Sequence, residues 1–130
     1  MGERRRASTG IVVIVTGGRG FAYPEFVEST LMRIHRAKGI RLVAAGGAYG
    51  ADMAAEKWAR KMGISCCVHH AKWNVHGKSA GPIRNREMAE HHPGALVVAY
   101  PGGAGTRNMK TWAKRMGLEV LELAPDGYGA

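Results

Sequence analysis

Three apolar runs in this chain each end in a cluster of glycines: "IVVIVT" (11–16) before "GGRG", "RLVAA" (41–45) before "GGAYGAD", and "ALVVAY" (95–100) before "PGGAGT". Short β-branched runs closed by Gly or Pro predict buried strands. Between them lie stretches with apolar residues at helical spacing. One starts near Pro24, carries Val27, Leu31 and Ile34, and stops at Gly39. A second runs from about Asp52 to Met62, with Ala51, Ala54, Ala55, Trp58, Ala59 and Met62 on one face, and ends at Gly63. "ISCCV" (64–68) is the third strand, followed by a polar loop "HHAKWNVHGKSAGP" and a short helix "IRNREMAEHH" stopped by Pro93-Gly94. A last helix over about 105–116 and a fifth strand "LEVLEL" (118–123) close the pattern.

Strands alternating with amphipathic helices predict an α/β fold: a Rossmann-like three-layer sandwich on a five-stranded, mainly parallel sheet. Right-handed crossovers leave few windings, and the order 3-2-1-4-5 puts strands one and four side by side at the switch point, where such sheets bind ligands. The division expected is a basic flexible tail over 1–10, one domain over 11–123 and a frayed tail over 124–130. A chain of 130 residues, 45% apolar, suits one core. No run is long enough to span a bilayer, and no signal-like apolar segment follows the basic start, so a soluble cytoplasmic protein is expected.

The net charge of +9 does not by itself imply nucleic acid. Residues 3–6 supply +2, and many other cations fall late in helices, where they complement the helix dipole. The remainder, including Arg19, Lys72, Lys78, Arg84, Arg86, Arg107 and Lys110, sits in or beside the glycine loops and suggests an anionic ligand. Adjacent Cys66 and Cys67 point to opposite faces of a strand and exclude a disulfide framework; both read as buried thiols. The pairs His69-His70 and His91-His92 share no strand or helix face and bring no H-x-x-x-H, so no metal is expected. Trp58 and Met62 read as core.

The three loops are predicted to meet at one sheet edge, where their N–H groups and the following helix N-termini form an anion cradle. No loop matches the Walker pattern: "HGKS" (76–79) imitates its end, but Lys72 stands where the first glycine belongs. None matches G-x-G-x-x-G with a distal acid either, so no cofactor is expected.

The motifs "VTGGRGF", "GGAYGAD..A..WA", "W..HG..AGPIRN..M" and "PGGAGT..M", in that order over residues 11–123, resemble the SLOG superfamily, and within it the small YspA-like, YpsA-related branch. That resemblance implies a Rossmann-like fold and a nucleotide-derived ligand. The superfamily includes the lonely guy phosphoribohydrolases, DNA-processing protein A and proteins thought to sense nucleotide signals. Carried onto this chain, Gly17, Gly18, Gly46, Gly47, Gly50, Gly102, Gly103, Gly105 and Thr106 form the ligand loops. Arg19 and Arg84 add charge, Asp52 or Asn85 orients ribose or base, and Tyr49 and Trp73 offer rings for stacking, with ordinary packing the competing role of both.

Two departures bear on chemistry. The phosphoribohydrolases carry a glutamate three residues after the Thr of their P-G-G-x-G-T; here that residue is Met109. Their R-K-x-x-M maps onto Arg84, Asn85 and Met88, with Asn in place of Lys. Met109 cannot stabilise the charge that develops on ribose when an N-glycosidic bond breaks. Asp52 is then the best acid, with Arg84 the second catalytic candidate and Glu87 another carboxylate; capping of the second helix is the competing role for Asp52. The leading expectation is therefore binding of a nucleoside phosphate, an ADP-ribose-like molecule or a cyclic nucleotide, as a sensor or sponge. Second comes a nucleoside 5′-monophosphate N-glycosidase, and third a single-stranded DNA-binding module. The resemblance also implies a homodimer.

Overall fold

The computed structural model describes residues 10–129. The expected basic tail therefore lies outside the described residues, apart from Gly10. Five strands, β1 (Ile11–Thr16), β2 (Ile40–Ala45), β3 (Ser65–Val68), β4 (Leu96–Ala99) and β5 (Glu119–Glu122), form one sheet in the order β3-β2-β1-β4-β5. All four pairings are parallel. The architecture is the expected Rossmann-like α/β sandwich.

Side-chain alternation divides the core in two. Val13 and Val15 of β1, Val43 of β2 and Val98 of β4 face helices α1 (Pro24–Lys38) and α2 (Ala51–Lys61), packing with Val27, Leu31 and Trp58. Val12, Ile14, Ala44 and Val97 face the other way, onto α4 (Ala80–His91) and α5 (Ala104–Arg115), with Met88, Ala89, Met109 and Ala113. Central strands buried on both faces must be apolar throughout, which is why "IVVIV" shows no alternation. The edge strand β3 obeys the same geometry: Cys66 packs toward the first cluster and Cys67 toward the second. Both thiols are half-buried rather than buried, because nothing flanks an edge strand on its outer side.

The helix stops are as the sequence implies: Gly39 and Gly63 sit just past α1 and α2 at φ 72° and 70°. The segment expected as a polar loop after β3 departs from expectation. Trp73–His76 forms a short helix, α3, a 3-10 turn follows over Gly77–Ser79, and α4 begins three residues before Ile83, at Ala80. Pro82, expected at the end of the loop, falls in the first turn of α4, where its missing N–H removes no helical bond. The closing segment, expected to fray, carries a turn in which Tyr128 N–H donates to Pro125 O at 3.0 Å. The Tyr128 ring lies 5.6 Å from Phe21 and 5.8 Å from Tyr23. No helix among the described residues is long and apolar enough to cross a membrane.

Candidate functional site

The C-terminal ends of β1, β2 and β4 release their glycine loops at the same edge of the sheet, around a cleft of about 1030 Å³. Twelve of the fifteen residues expected to bind ligand line it: Gly17, Gly18 and Arg19 after β1; Gly46, Gly47 and Asp52 after β2; Trp73, Arg84 and Asn85 from the α3–α4 segment; and Gly103, Gly105 and Thr106 at the start of α5. Tyr49, Gly50 and Gly102 do not. Tyr49 is 69% exposed away from the cleft. Gly50 and Gly102 are buttresses: a methyl group on Gly50 would strike the Gly18 carbonyl oxygen, and one on Gly102 would strike Thr106 Oγ1 and lie 2.7 Å from Gly18 N. Glu87 is exposed and also off the cleft.

That packing alters the cradle the sequence suggested. The loops are small-residued largely because they touch one another, and several amides are already used. Gly18 N–H donates to Pro101 O at 2.8 Å, tying the β1 and β4 loops together. Gly46 N–H donates to Asp52 Oδ2 at 3.1 Å, and Ala48 N–H donates to the same oxygen at 3.3 Å. The anion-ready donors are instead at α5. This 12-residue helix has Gly103 as its N-cap and no side chain capping it. Its first N–H groups, which have no partner within the helix, belong to the cleft-lining residues Ala104, Gly105 and Thr106.

The polar side chains form one connected set. Asp52 does not cap α2, whose N-cap is Gly50; its carboxylate reaches back and closes the β2 loop instead. Arg84 Nη1 donates to Gly46 O at 2.8 Å and to His69 O at 3.2 Å, while its Nε donates to Asn85 Oδ1 at 2.9 Å. The guanidinium is thus a clamp between the β2 and β3 loops. Only Nη2 remains free of these bonds, so a two-nitrogen fork on phosphate is closed to it. Asn85 is equally committed: its Nδ2 donates to Gly105 O at 3.2 Å and to Asn108 Oδ1 at 3.1 Å, holding α4 against the start of α5.

Lys78, His70 and Asn108 also line the cleft, and the expected ligand set did not include them. Lys78 was visible among the loop cations; Asn108 carried no signal beyond lying one helical turn after Gly105. Three cations (Arg19, Lys78 and Arg84) face a single carboxylate, Asp52, among the lining residues. Met109, at the position of the phosphoribohydrolase glutamate, is fully buried in the core beneath α5.

Burial raises the Asp52 carboxyl from 3.8 to about 6, against the lowering effects of the Ala48 hydrogen bond, the Arg84 charge and the Gly46 hydrogen bond. Its Oδ1 is buried without a partner. A carboxyl raised on folding favours the native state most below its unfolded value, and that advantage is lost as pH rises through the folded value. A shift of this size corresponds to about 3 kcal/mol. In urea titrations, the stability of the protein relative to Asp52→Asn is expected to fall by about that amount between pH 4 and pH 7. A pH-independent difference would contradict the burial of this acid.

Away from the cleft, folding brings Cys67, His69 and His92 together, the donor atoms all within 4.8 Å. The expectation of no metal considered neighbours within each histidine pair; the fold joins one member of each pair instead. Burial and then His91 and Arg84 lower the His69 pKa, and burial, His69, His91 and Arg41 lower that of His92.

Comparison with known proteins agrees with this architecture. The YspA, cpYpsA-related SLOG family model matches residues 11–76, which hold the first two loop motifs and Trp73. Gene 61 protein of Mycobacterium phage D29 is 37% identical over 120 residues, covering 85% of this chain and 94% of that protein. The X-ray structure of DNA processing protein A (DprA) from Streptococcus pneumoniae matches with a TM-score of 0.72 at 16% identity, over 95% of this chain and 53% of that one. The chain thus spans about half the length of DprA, and the likeness is one of fold. With half its length matched by the family model and a relative this similar along nearly its whole length, the chain belongs to the YspA, cpYpsA-related SLOG family.

Proposed function

We propose that the cleft binds a nucleotide-derived ligand, such as a nucleoside phosphate, an ADP-ribose-like molecule or a cyclic nucleotide, and that the protein acts as a sensor or sponge for it. One observation carries the reading: the uncapped N-terminus of α5 opens into a cleft lined by three cations and one carboxylate. Phosphate sits against the first N–H groups of α5, with Arg19, Lys78 and Arg84 Nη2 around it. Trp73, 52% exposed at the rim, supplies a ring for the base. Asp52, beside Arg84 at the β2 loop, orients the ribose.

Calorimetry with AMP, ADP-ribose and cyclic nucleotides tests the proposal. Binding of at least one of them is expected, weakened about tenfold or more by Arg19→Ala or Lys78→Ala, since a charged hydrogen bond contributes about 1.5–3 kcal/mol. Trp73→Ala should weaken the nucleotide and leave inorganic pyrophosphate unaffected. No heat from any of these ligands at millimolar concentration would overturn the reading.

Hydrolysis of the N-glycosidic bond is the second reading, favoured by one observation: an acid held at about 6 stands in the same cleft. It ranks lower because Asp52 Oδ2 already holds two backbone amides and the α5 carboxylate is absent. Release of free base from nucleoside monophosphates, lost in Asp52→Asn, would reverse the ranking. A single-stranded oligonucleotide added to the same titrations covers the third expectation, whose signature is steep weakening with salt. The homodimer belongs to the proposal as well, read by sedimentation equilibrium as twice the 14.0 kDa chain mass.

A further inference from the structure

We infer that Cys67, His69 and His92 form a transition-metal site, selective for zinc among common cellular cations, between β3 and the end of α4 and away from the proposed nucleotide cleft. The site is assembled from two elements. His69 extends the β3 ladder by one residue, its N–H donating to Ala45 O at 2.8 Å, so Cys67 and His69 are two apart on one strand and share a face. His92 is the C-cap of α4, at φ −127° and ψ 66°, where the chain leaves the helix.

The distances fit one ion. The Nε2 atoms of His69 and His92 are 3.0 Å apart, and Cys67 Sγ is 3.3 Å from His69 Nε2. Tetrahedral zinc, with bonds of about 2.0–2.1 Å to nitrogen and 2.3 Å to sulfur, separates two nitrogens by about 3.4 Å and nitrogen from sulfur by about 3.6 Å. The third pair, Cys67 and His92, lies within 4.8 Å, so side-chain rotations would bring the three donors around one ion. One thiolate and two imidazoles are borderline-soft donors, which exclude Mg²⁺ and Ca²⁺ and suit Zn²⁺.

Three protein ligands leave a fourth position. The His91 ring lies nearby, its centroid 5.7 Å from that of His69, outside the group of clustered donors. His91 Nδ1 is 2.9 Å from Glu87 O, a contact in which Nδ1 donates and Nε2 keeps its lone pair. Water would complete the coordination. The ion would join edge strand β3 to the end of α4, between which the chain makes its longest excursion from the sheet. Because the His69 carbonyl accepts from Arg84 at 3.2 Å, metal binding would also fix the start of the segment that leads to His70 and Trp73.

The test uses the untagged full-length chain, stripped with a chelator and returned to metal-free buffer. Cobalt(II) should give a thiolate charge-transfer band and the intense visible bands of tetrahedral geometry, saturating at about one equivalent, and zinc should displace it. Cys67→Ser is expected to abolish the charge-transfer band. His92→Gln should weaken zinc binding by at least about 100-fold, because loss of an outer-shell partner alone costs 10–100-fold. Cys66→Ser, on the opposite face of β3, should leave both signals intact. Absence of a thiolate band with cobalt, or a band that survives Cys67→Ser, would overturn the site. None of these signals depends on nucleotide binding, so the two proposals fail separately.

Discussion

Replacing Arg84 with methionine is expected to destabilise the fold by about 3 kcal/mol and to abolish ligand binding in the cleft. The methionine keeps most of the apolar stem but none of the donors. Gly46 O, His69 O and Asn85 Oδ1 each lose a charged partner, and the two carbonyls belong to different loops. Such hydrogen bonds contribute about 1.5–3 kcal/mol apiece, less the cost of burying the guanidinium, which leaves roughly the value given. A second consequence sets this apart from ordinary destabilisation. Arg84 is one of the charges holding the Asp52 pKa down, so the pH dependence due to Asp52 should move to higher pH in the variant. Arg84→Lys should recover less than half of the loss, because a point ammonium cannot serve two carbonyls and an amide from one fixed plane. Urea midpoints measured from pH 4 to pH 8 read both effects. A loss below about 1 kcal/mol, typical of an exposed cation, would show that the clamp is not formed.

Gly50→Val is expected to cost at least about 4 kcal/mol, the largest single effect outside the apolar core. Gly50 is the N-cap of α2 at φ 84° and ψ −128°, a conformation that β-branched residues avoid. A side chain there would also strike the Gly18 carbonyl oxygen and come within 2.9 Å of Arg19 O, both main-chain atoms that cannot turn aside. Gly39→Ala is the control. Gly39 has φ 72° but open space around it, so only the conformational cost of about 1–2 kcal/mol remains. Thermal unfolding should separate the two clearly, since 1 kcal/mol moves Tm by about 3–5 °C in a chain of this size. Equal shifts for both variants would mean that the β1 and β2 loops are not in contact. The same contact explains why Gly50 packs against the β1 loop and does not line the cleft.

The sequence alone determined the alternation of strands and helices, and with it the sheet order, because continuous apolar β-branched runs and apolar residues at helical spacing are local signals and the crossover rule leaves few windings. Its one large local error, the helical stretch over Trp73–His76 and Ala80–Pro82, came from reading the polar, glycine-bearing segment after β3 as a loop. There, packing overrode propensity: Ala80 and Gly81 are buried, and Trp73 rests against Gly81. Sequence also located the cleft, since strand order fixes which loops meet. The use made of each polar group was decided only in three dimensions. Whether Arg84 faces a ligand or two carbonyls depends on loops about 15 and 38 residues earlier in the chain. Whether His69 has a partner depends on His92, 23 residues away. Hydrogen bonds and metal coordination require positions within a fraction of an ångström, and no local pattern encodes the distance between segments that meet only after folding.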